Sequence, residues 1–334
     1  MNIPRHPLQR LWQNILRFLS MAIGVYLIVL LLRFPALSLQ YASIGLNLWF
    51  QKMIPTLLPF MILSGILIRM NLTEGFVRLV HPLLRFLFRT SPNGSYTLIM
   101  GFLCGFPMGA RVIGELYGAG KLSKWEAERL LAFCNNIGPI YFISFAMPML
   151  GINKIAGPFL IMYGIPLLYG FVLMRFFPHI RWKRQTKVTD TVNHSETNEA
   201  PKTSGIFVNS APPSLLAATD EAILSGLLGI AKLGGYMVFF NLLNILFVPF
   251  SHLSSGLLGF YNCILEITSG INRCGQAFPY TVLVLLPFGG FSCIGQTYSM
   301  ICHTDLSIRP YLFHKLIQTA LTALCYVLCQ PFLL

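Results

Sequence analysis

The chain has 334 residues, of which 55% are hydrophobic and 10% charged, with a formal net charge of +13 and a mean hydropathy of +0.66. A soluble domain carries about a quarter charged residues, so this composition excludes one and points to a chain that crosses a membrane several times. The basic residues sit mostly at the ends of apolar runs, where they orient the chain and meet anionic lipid; nucleic acid is not an expected partner.

The eight cysteines are scattered, most of them singly inside apolar segments such as those holding Cys104, Cys134, Cys263, Cys293 and Cys325, and no pair has CxxC spacing. Cys325 and Cys329 share a helix face, but small buried hydrophobes are the ordinary reading there. The seven histidines are dispersed as well. No metal site and no cofactor is expected.

Residues 1–17 are basic and should be cytoplasmic. The apolar run that follows, from about Ile15 to Arg33, is too long for a signal-peptide core and lacks a small-residue cleavage site. It reads as a retained first span, so that 1–40 form a basic segment plus that span. Residues 36–50 either lie at the interface or begin the next helix. The run 51–70 carries Pro55 and Pro59 and reads as a kinked span or half of a re-entrant hairpin. Residues 75–90 place Arg78, Arg85 and Arg89 on one helical face, which suits an amphipathic interfacial helix or a basic connector.

Residues 95–122, SYTLIMGFLCGFPMGARVIGELYGAGKL, are apolar enough for membrane depth but broken by Gly101, Gly105, Pro107 and Gly109. Proline costs about 3 kcal/mol in a helix interior and glycine about 1, so one straight helix is not expected. Arg111 and Glu115 follow the break. Charge and broken backbone persist at that depth where they line a protein-buried or watery site.

Ser123 with Glu126 three positions on predicts a capping box and a helix running toward Asn135. Asn135 and Asn136 precede the break at Gly138-Pro139, and 154–177 form another span. Residues 179–213 are polar, with a basic start, and read as a cytoplasmic linker. The second half, 214–334, holds a Ser214-capped helix continuing into the span 236–250, then 256–278 with Glu266, 279–301, and a last span at 311–329. Residues 41–178 and 214–334 are the two expected membrane units.

The opening break has a counterpart. Pro287, Gly289-Gly290 and Gly295-Gln296 interrupt 279–301, and setting Gly109 over Gly295 also sets Arg129-Leu130-Leu131 over Lys315-Leu316-Ile317. Paired Gly/Pro-interrupted segments in two halves point to a transporter site at an inverted-repeat interface. Two unrelated kinked spans are the plainer alternative.

The segment CGFPMGARVIGELYGAGKLSKWEAERLLAFCNN (104–136), together with DEAILSGLLGIAKLGGYMVFF (220–240), LEITSG (265–270) and GGFSCIGQTYSM (289–300), resembles the nucleoside-recognition or gate domain family, and within it the sporulation integral membrane proteins of the YlbJ-like branch. The resemblance implies an all-α polytopic membrane protein with two gate-like repeats of broken or re-entrant helices, akin to concentrative nucleoside transporters. For the sporulation branch it implies transport of dipicolinic acid across the outer forespore membrane. A nucleoside or other small-metabolite carrier, or a membrane scaffold of a spore-envelope complex, are the alternatives. The partners it implies are a small organic anion, the lipid bilayer, and either a second copy of the chain or other spore membrane proteins.

An anion site needs cations and N–H donors. Broken half-helices supply helix N-termini, and Gly105, Gly109 and Gly290 allow close backbone approach. Arg111 could pair with a carboxylate, with Asn135, Asn136 and Gln296 as further donors. Glu115 and Glu266 would repel a dianion unless protonated or paired. Arg111 and Glu115 at i,i+4 are equally readable as a helix salt bridge, and the asparagines as interhelical glue. Lys121, Lys124, Arg129 and Arg309 read as loop and interface charges. Gly118-Ala119-Gly120-Lys121 lacks the first glycine and the Ser/Thr of a phosphate loop, and there is no HExxH or GxSxG, so neither an enzyme nor an intrinsic ATPase is expected.

Overall fold

The computed structural model describes residues 7–177, 214–250 and 254–333. Among them every regular element is helical. The expected cytoplasmic linker at 179–213 lies outside the described residues.

In chain order, α1 is Pro7–Arg33 and α2 Pro35–Leu48, which runs through a wide turn at Trp49–Met53 into α3, Ile54–Arg69. Two short helices follow, α4 (Thr73–Val77) and α5 (His81–Phe88), then α6 (Pro92–Cys104), α7 (Met108–Gly118) and α8 (Lys124–Cys134). The chain continues through α9 (Pro139–Tyr141), a wide turn at Phe142–Ala146, α10 (Met147–Leu150) and α11 (Ala156–Phe176). The second half holds α12 (Leu215–Leu242) with a tighter extension Leu243–Phe250, α13 (Ser255–Leu265), α14 (Ile267–Cys274), α15 (Pro279–Leu285), α16 (Gly290–Ile301) and α17 (Ile308–Leu333).

Six stretches among the described residues are long and apolar enough to cross a membrane: 35–69, 124–150, 156–176, 215–249, 279–301 and 308–328. The protein is therefore an all-α, multi-pass membrane protein. In addition, α1 exposes Phe18, Leu19, Met21, Ile23, Val25, Ile28, Val29 and Leu32, an apolar surface that lipid would cover. Residues 36–50 begin the next helix, as one of the two readings required. The expected single amphipathic helix at 75–90 is instead the pair α4 and α5. Pro82, which lacks an N–H, sits in the first turn of α5 and starts it afresh.

Two of the six stretches differ from the rest. In 124–150 and 279–301, 67% of the most apolar window is buried, against 28–33% in the other four. Both are broken midway, the first at Asn135–Gly138 and the second at Leu286–Gly289. Each is preceded by a helical hairpin too short to cross. The arms α6 and α7 have 13 and 11 residues, about 20 and 16 Å at 1.5 Å per residue, against a hydrocarbon core of about 30 Å. They reverse at Gly105–Pro107, where the Phe106-Pro107 peptide is cis. The arms α13 and α14 reverse at Glu266.

Element order thus reads long helix, hairpin, broken span, whole span in both halves. The sequence pairing sets 95–122 beside 279–301; in element order the hairpin 92–118 holds the place of 255–274, and the broken span 124–150 that of 279–301. The reason is physical. A hairpin and a broken span both read as an apolar run with helix breakers, while the second hairpin turns on a glutamate with neither glycine nor proline at its tip.

The hairpin tips pack against the broken spans. Gly105 has φ +85°, and a Cβ there would lie 2.3 Å from the Gly138 nitrogen. In the second half, Gly290 has φ +82°, and a Cβ would come within 3.0–3.2 Å of the carbonyl oxygens of Cys263, Ile264 and Leu265. Only glycine combines that backbone with that proximity. Phe102 and Phe106 pack against both apolar clusters of the core, one centred on α6–α8 and the other on Phe142, Tyr163, Ile267 and Leu286.

Candidate functional site

A cavity of about 140 Å³ lies where the tips and breaks meet, walled by Phe106, Gly138, Tyr141, Glu266, Cys293 and Gln296, with Phe60, Phe145 and Lys52 also contributing. A cavity of about 150 Å³ is enough to hold one benzene-sized ring. Gly138, Glu266 and Gln296 are all buried.

Glu266 is 1% exposed and caps α14. Its Oε1 accepts from the Thr268 N–H at 3.1 Å and its Oε2 from the Ser269 N–H at 2.7 Å, with the Asn241 amide donating to Oε2 at 3.4 Å. A carboxylate at a helix N-terminus is stabilised by the unpaired N–H groups and the helix dipole. The first donors of α14 are therefore taken by the chain's own glutamate. The Gln296 amide donates to Ser292 Oγ at 3.0 Å. The Tyr141 hydroxyl is buried beside Thr268 and Glu266.

The asparagine pair joins the halves. Asn135 Oδ1 accepts from the Ala110 N–H at 3.3 Å, in the first turn of α7, and its amide donates to Thr297 Oγ1 at 2.8 Å and to the Tyr311 hydroxyl at 3.3 Å. A Cβ on Gly109 would lie 3.1 Å from Asn135 Cα, so glycine is what lets α7 start there. Asn136 donates to the Phe133 carbonyl at 2.6 Å. Its Oδ1 accepts from Lys315 Nζ at 2.6 Å.

Lys315 was missed as a site residue. It sits within α17, is 0% exposed, and donates further to Gln318 Oε1 at 3.3 Å. Its ammonium lies 5.2 Å from the centre of the Phe106 ring and 5.8 Å from that of Tyr311. The salt bridges among the described residues do not include it. A single lysine inside an otherwise apolar last span was the available signal.

Arg111 and Glu115 form a group of their own. Arg111 Nε donates to Glu115 Oε1 at 2.9 Å and Nη2 to Ser225 Oγ at 2.9 Å. A Cβ on Gly229 of α12 would lie 2.9 Å from Arg111 Nη1. Neither residue lines the cavity. The helix salt bridge is thus present, placed between α7 and α12. The nine residues singled out in the sequence fall into three sets: Glu266, Gly290 and Gln296 at the second hairpin and broken span; Gly105, Gly109, Asn135 and Asn136 at the first; and the Arg111–Glu115 pair to one side.

The peripheral charges are mostly as expected. Lys124 bonds Asp305 at 2.5 Å, tying the α7–α8 turn to the α16–α17 turn, and the Tyr117 hydroxyl donates to Asp305 at 2.6 Å. The Lys124 and Tyr117 hydrogen bonds hold the Asp305 carboxyl below the usual carboxylate range. Lys121 donates to the Ile68 carbonyl at 2.9 Å and to Asn71, and burial lowers its proton affinity. Arg129 departs from the expectation. It is buried, donates to the Leu173 carbonyl at 2.8 Å, and lies 4.6 Å over the Trp125 ring, because packing of α8 on α11 takes it inside.

Comparison with known proteins agrees with the resemblance read from 104–136. Residues 50–163 match the gate family model, described as nucleoside recognition. The chain is 26% identical over 337 aligned positions to the sporulation integral membrane protein YlbJ of Bacillus subtilis (strain 168), covering 91% of this chain and 80% of that protein. No solved structure matches. The chain is a multi-pass membrane protein that is similar over most of its length to a sporulation integral membrane protein and, over residues 50–163, to the gate family.

Proposed function

We propose that the protein carries a small organic anion across a membrane, with dipicolinic acid as the substrate and the outer forespore membrane as the location. The two halves act as inverted gate-like repeats, and the solute passes between the two hairpin tips. Similarity to a sporulation protein supports the setting. The observation that carries the substrate class is the cavity. At about 140 Å³, with Phe60, Phe106 and Phe145 in its wall, it suits one planar ring, and dipicolinate is a single pyridine ring bearing two carboxylates.

A second reading, a nucleoside carrier, is favoured by the description of the matching family and by Glu266 and Gln296, which suit hydroxyl and amide groups. Size argues against it, since a nucleoside joins a base to a sugar. Purified protein in proteoliposomes should show saturable uptake of dipicolinate. Dipicolinate, and not uridine, should raise the thermal midpoint. Absence of saturable uptake under any ion gradient would sink the carrier reading. Stabilisation by uridine alone would move the assignment to nucleosides.

A further inference from the structure

We propose that Lys315 is the group that binds a carboxylate of the transported anion, and that the Phe106 side chain at the first hairpin tip covers it in the conformation described. The proposal rests on the carrier reading above and assigns the residue within it.

A fully buried ammonium is expensive, and inside a membrane it persists where it serves a path or a site. The partners of Lys315 are neutral. Asn136 and Gln318 accept from it at 2.6 and 3.3 Å. Both are themselves anchored, Asn136 to the Phe133 carbonyl at 2.6 Å and Gln318 to the Ala132 carbonyl at 2.7 Å. The amine is held in one place by oriented dipoles, with no carboxylate among its described partners. Rings of Phe106 and Tyr311 lie at 5.2 and 5.8 Å, a cation–π arrangement that partly replaces the missing anion.

Phe106 belongs to both places. It lines the cavity and faces the ammonium. Cys293, also in the cavity wall, lies within electrostatic reach of Lys315 and of Glu266. The cavity therefore has a carboxylate in its wall at one hairpin tip and an ammonium behind the aromatic ring of the other. A carboxylate reaches Lys315 when that ring moves aside. It then gains a charge-assisted hydrogen bond in a dry site, where such a bond is strong.

The competing role is a pin that holds α17 to the first break. Stability does not separate the two roles, because Lys315→Met leaves the buried Asn136 and Gln318 amide oxygens without their donor under either one; uptake by a variant that keeps the amine does. Lys315→Met, Lys315→Arg and Asn136→Asp are reconstituted in proteoliposomes beside the wild type. Dipicolinate uptake and detergent-solubilised thermal midpoints are measured for each.

Lys315→Met should lose about 100-fold in uptake, the order expected for removing one member of a buried charge pair. Lys315→Arg should keep uptake within about tenfold, since the charge and donors remain. Asn136→Asp supplies an internal counter-ion next to the ammonium, so it should fold and fail to take up the anion. Uptake retained by Lys315→Met or Asn136→Asp overturns the proposal while leaving the carrier reading intact. A fully active Asn136→Asp assigns Lys315 to the pin. No uptake by the wild type removes both readings at once.

Discussion

Gly101→Ala tests whether the first hairpin owes its position to direct backbone contact with the first broken span. Gly101 lies in α6, and an alanine Cβ there would sit 2.2 Å from the Cys134 carbonyl oxygen, 3.1 Å from its carbonyl carbon and 3.2 Å from Gly109 Cα. The first of these is about 1 Å inside ordinary van der Waals contact. All three neighbours are backbone, so no side chain can swing away. Alanine is favoured over glycine in a helix by about 1 kcal/mol. Over-packing costs about 1–3 kcal/mol and occasionally more, and the rigid surroundings place this site at the upper end. The net expectation is a loss of about 2 kcal/mol. Gly164→Ala in α11 is the control, because no atom lies within 4 Å of its Cβ position. There the propensity term acts alone and gives a gain of up to about 1 kcal/mol. The two variants should separate by about 3 kcal/mol in reversible denaturant unfolding in micelles, followed by helical circular dichroism. If Gly101→Ala matches Gly164→Ala, the hairpin and the break are not in contact as described.

For the Arg111–Glu115 pair, Arg111→Met and Glu115→Leu singly should each cost about 3 kcal/mol, because one buried charge is left without its partner, and the double variant should cost less than either; additive losses in a double-mutant cycle would show that the pair is not coupled. The Asp305 carboxyl, held down by the Lys124 and Tyr117 bonds, stabilises the folded state above its unfolded pKa of about 4, and this contribution is lost as pH falls through the lower folded value. Asp305→Asn should thus be less stable than wild type at pH 7 by about 0.2–1 kcal/mol, with the difference shrinking as pH falls below the unfolded value; a difference independent of pH contradicts the assignment. Ser123→Ala should cost about 1 kcal/mol by removing the N-cap of α8, and Ser123→Asp should restore it, as read from thermal midpoints; equal midpoints for serine and alanine would mean the 3.2 Å bond from the Glu126 N–H to Ser123 Oγ contributes nothing.

Much of the fold is visible in the order of amino acids because lipid leaves few options. Apolar runs ended by arginine and proline must be helices that satisfy their own backbone, and these fall where expected around 35–69, 156–176 and 308–328. The N-cap at Ser123 was readable too, although only half of the box forms. Glu126 Oε1 accepts instead from the Ser91 N–H at 2.7 Å, at the start of α6. Reversal of direction was not readable. Nothing in Gly105-Phe106-Pro107 says hairpin where Leu286–Gly289 says broken span, because both supply the same helix-breaking residues. The second hairpin was hidden for the converse reason, as its turn is made by the Glu266 carboxylate folding back onto the Thr268 and Ser269 N–H groups.

The same contrast explains why the candidate site shifted. At the sequence level, charge next to a helix break is the strongest signal, and it selects Arg111, Glu115 and Glu266. In the folded chain each of these charges is met, Arg111 and Glu115 by one another, although Arg111 Nη1 and Glu115 Oε2 are buried without a hydrogen bond, and Glu266 by a helix N-terminus. A compensated charge has little left to offer an incoming ion, since binding must first break what is there. Lys315 inverts the case. It stands in an unbroken stretch of α17, away from any helix break, and is brought to the first break only by tertiary packing of α17 on α8. Its charge is met by amide oxygens and aromatic rings alone. Arg129 is buried without an ion pair among the described residues as well, but Lys315 is the one of the two whose amine faces a ring of the cavity wall. The glycine contacts at Gly105 and Gly138 then take on a second meaning. They hold Phe106 beside that charge with no side chain between the two backbones, so a small movement of the hairpin tip is enough to change what the ammonium meets.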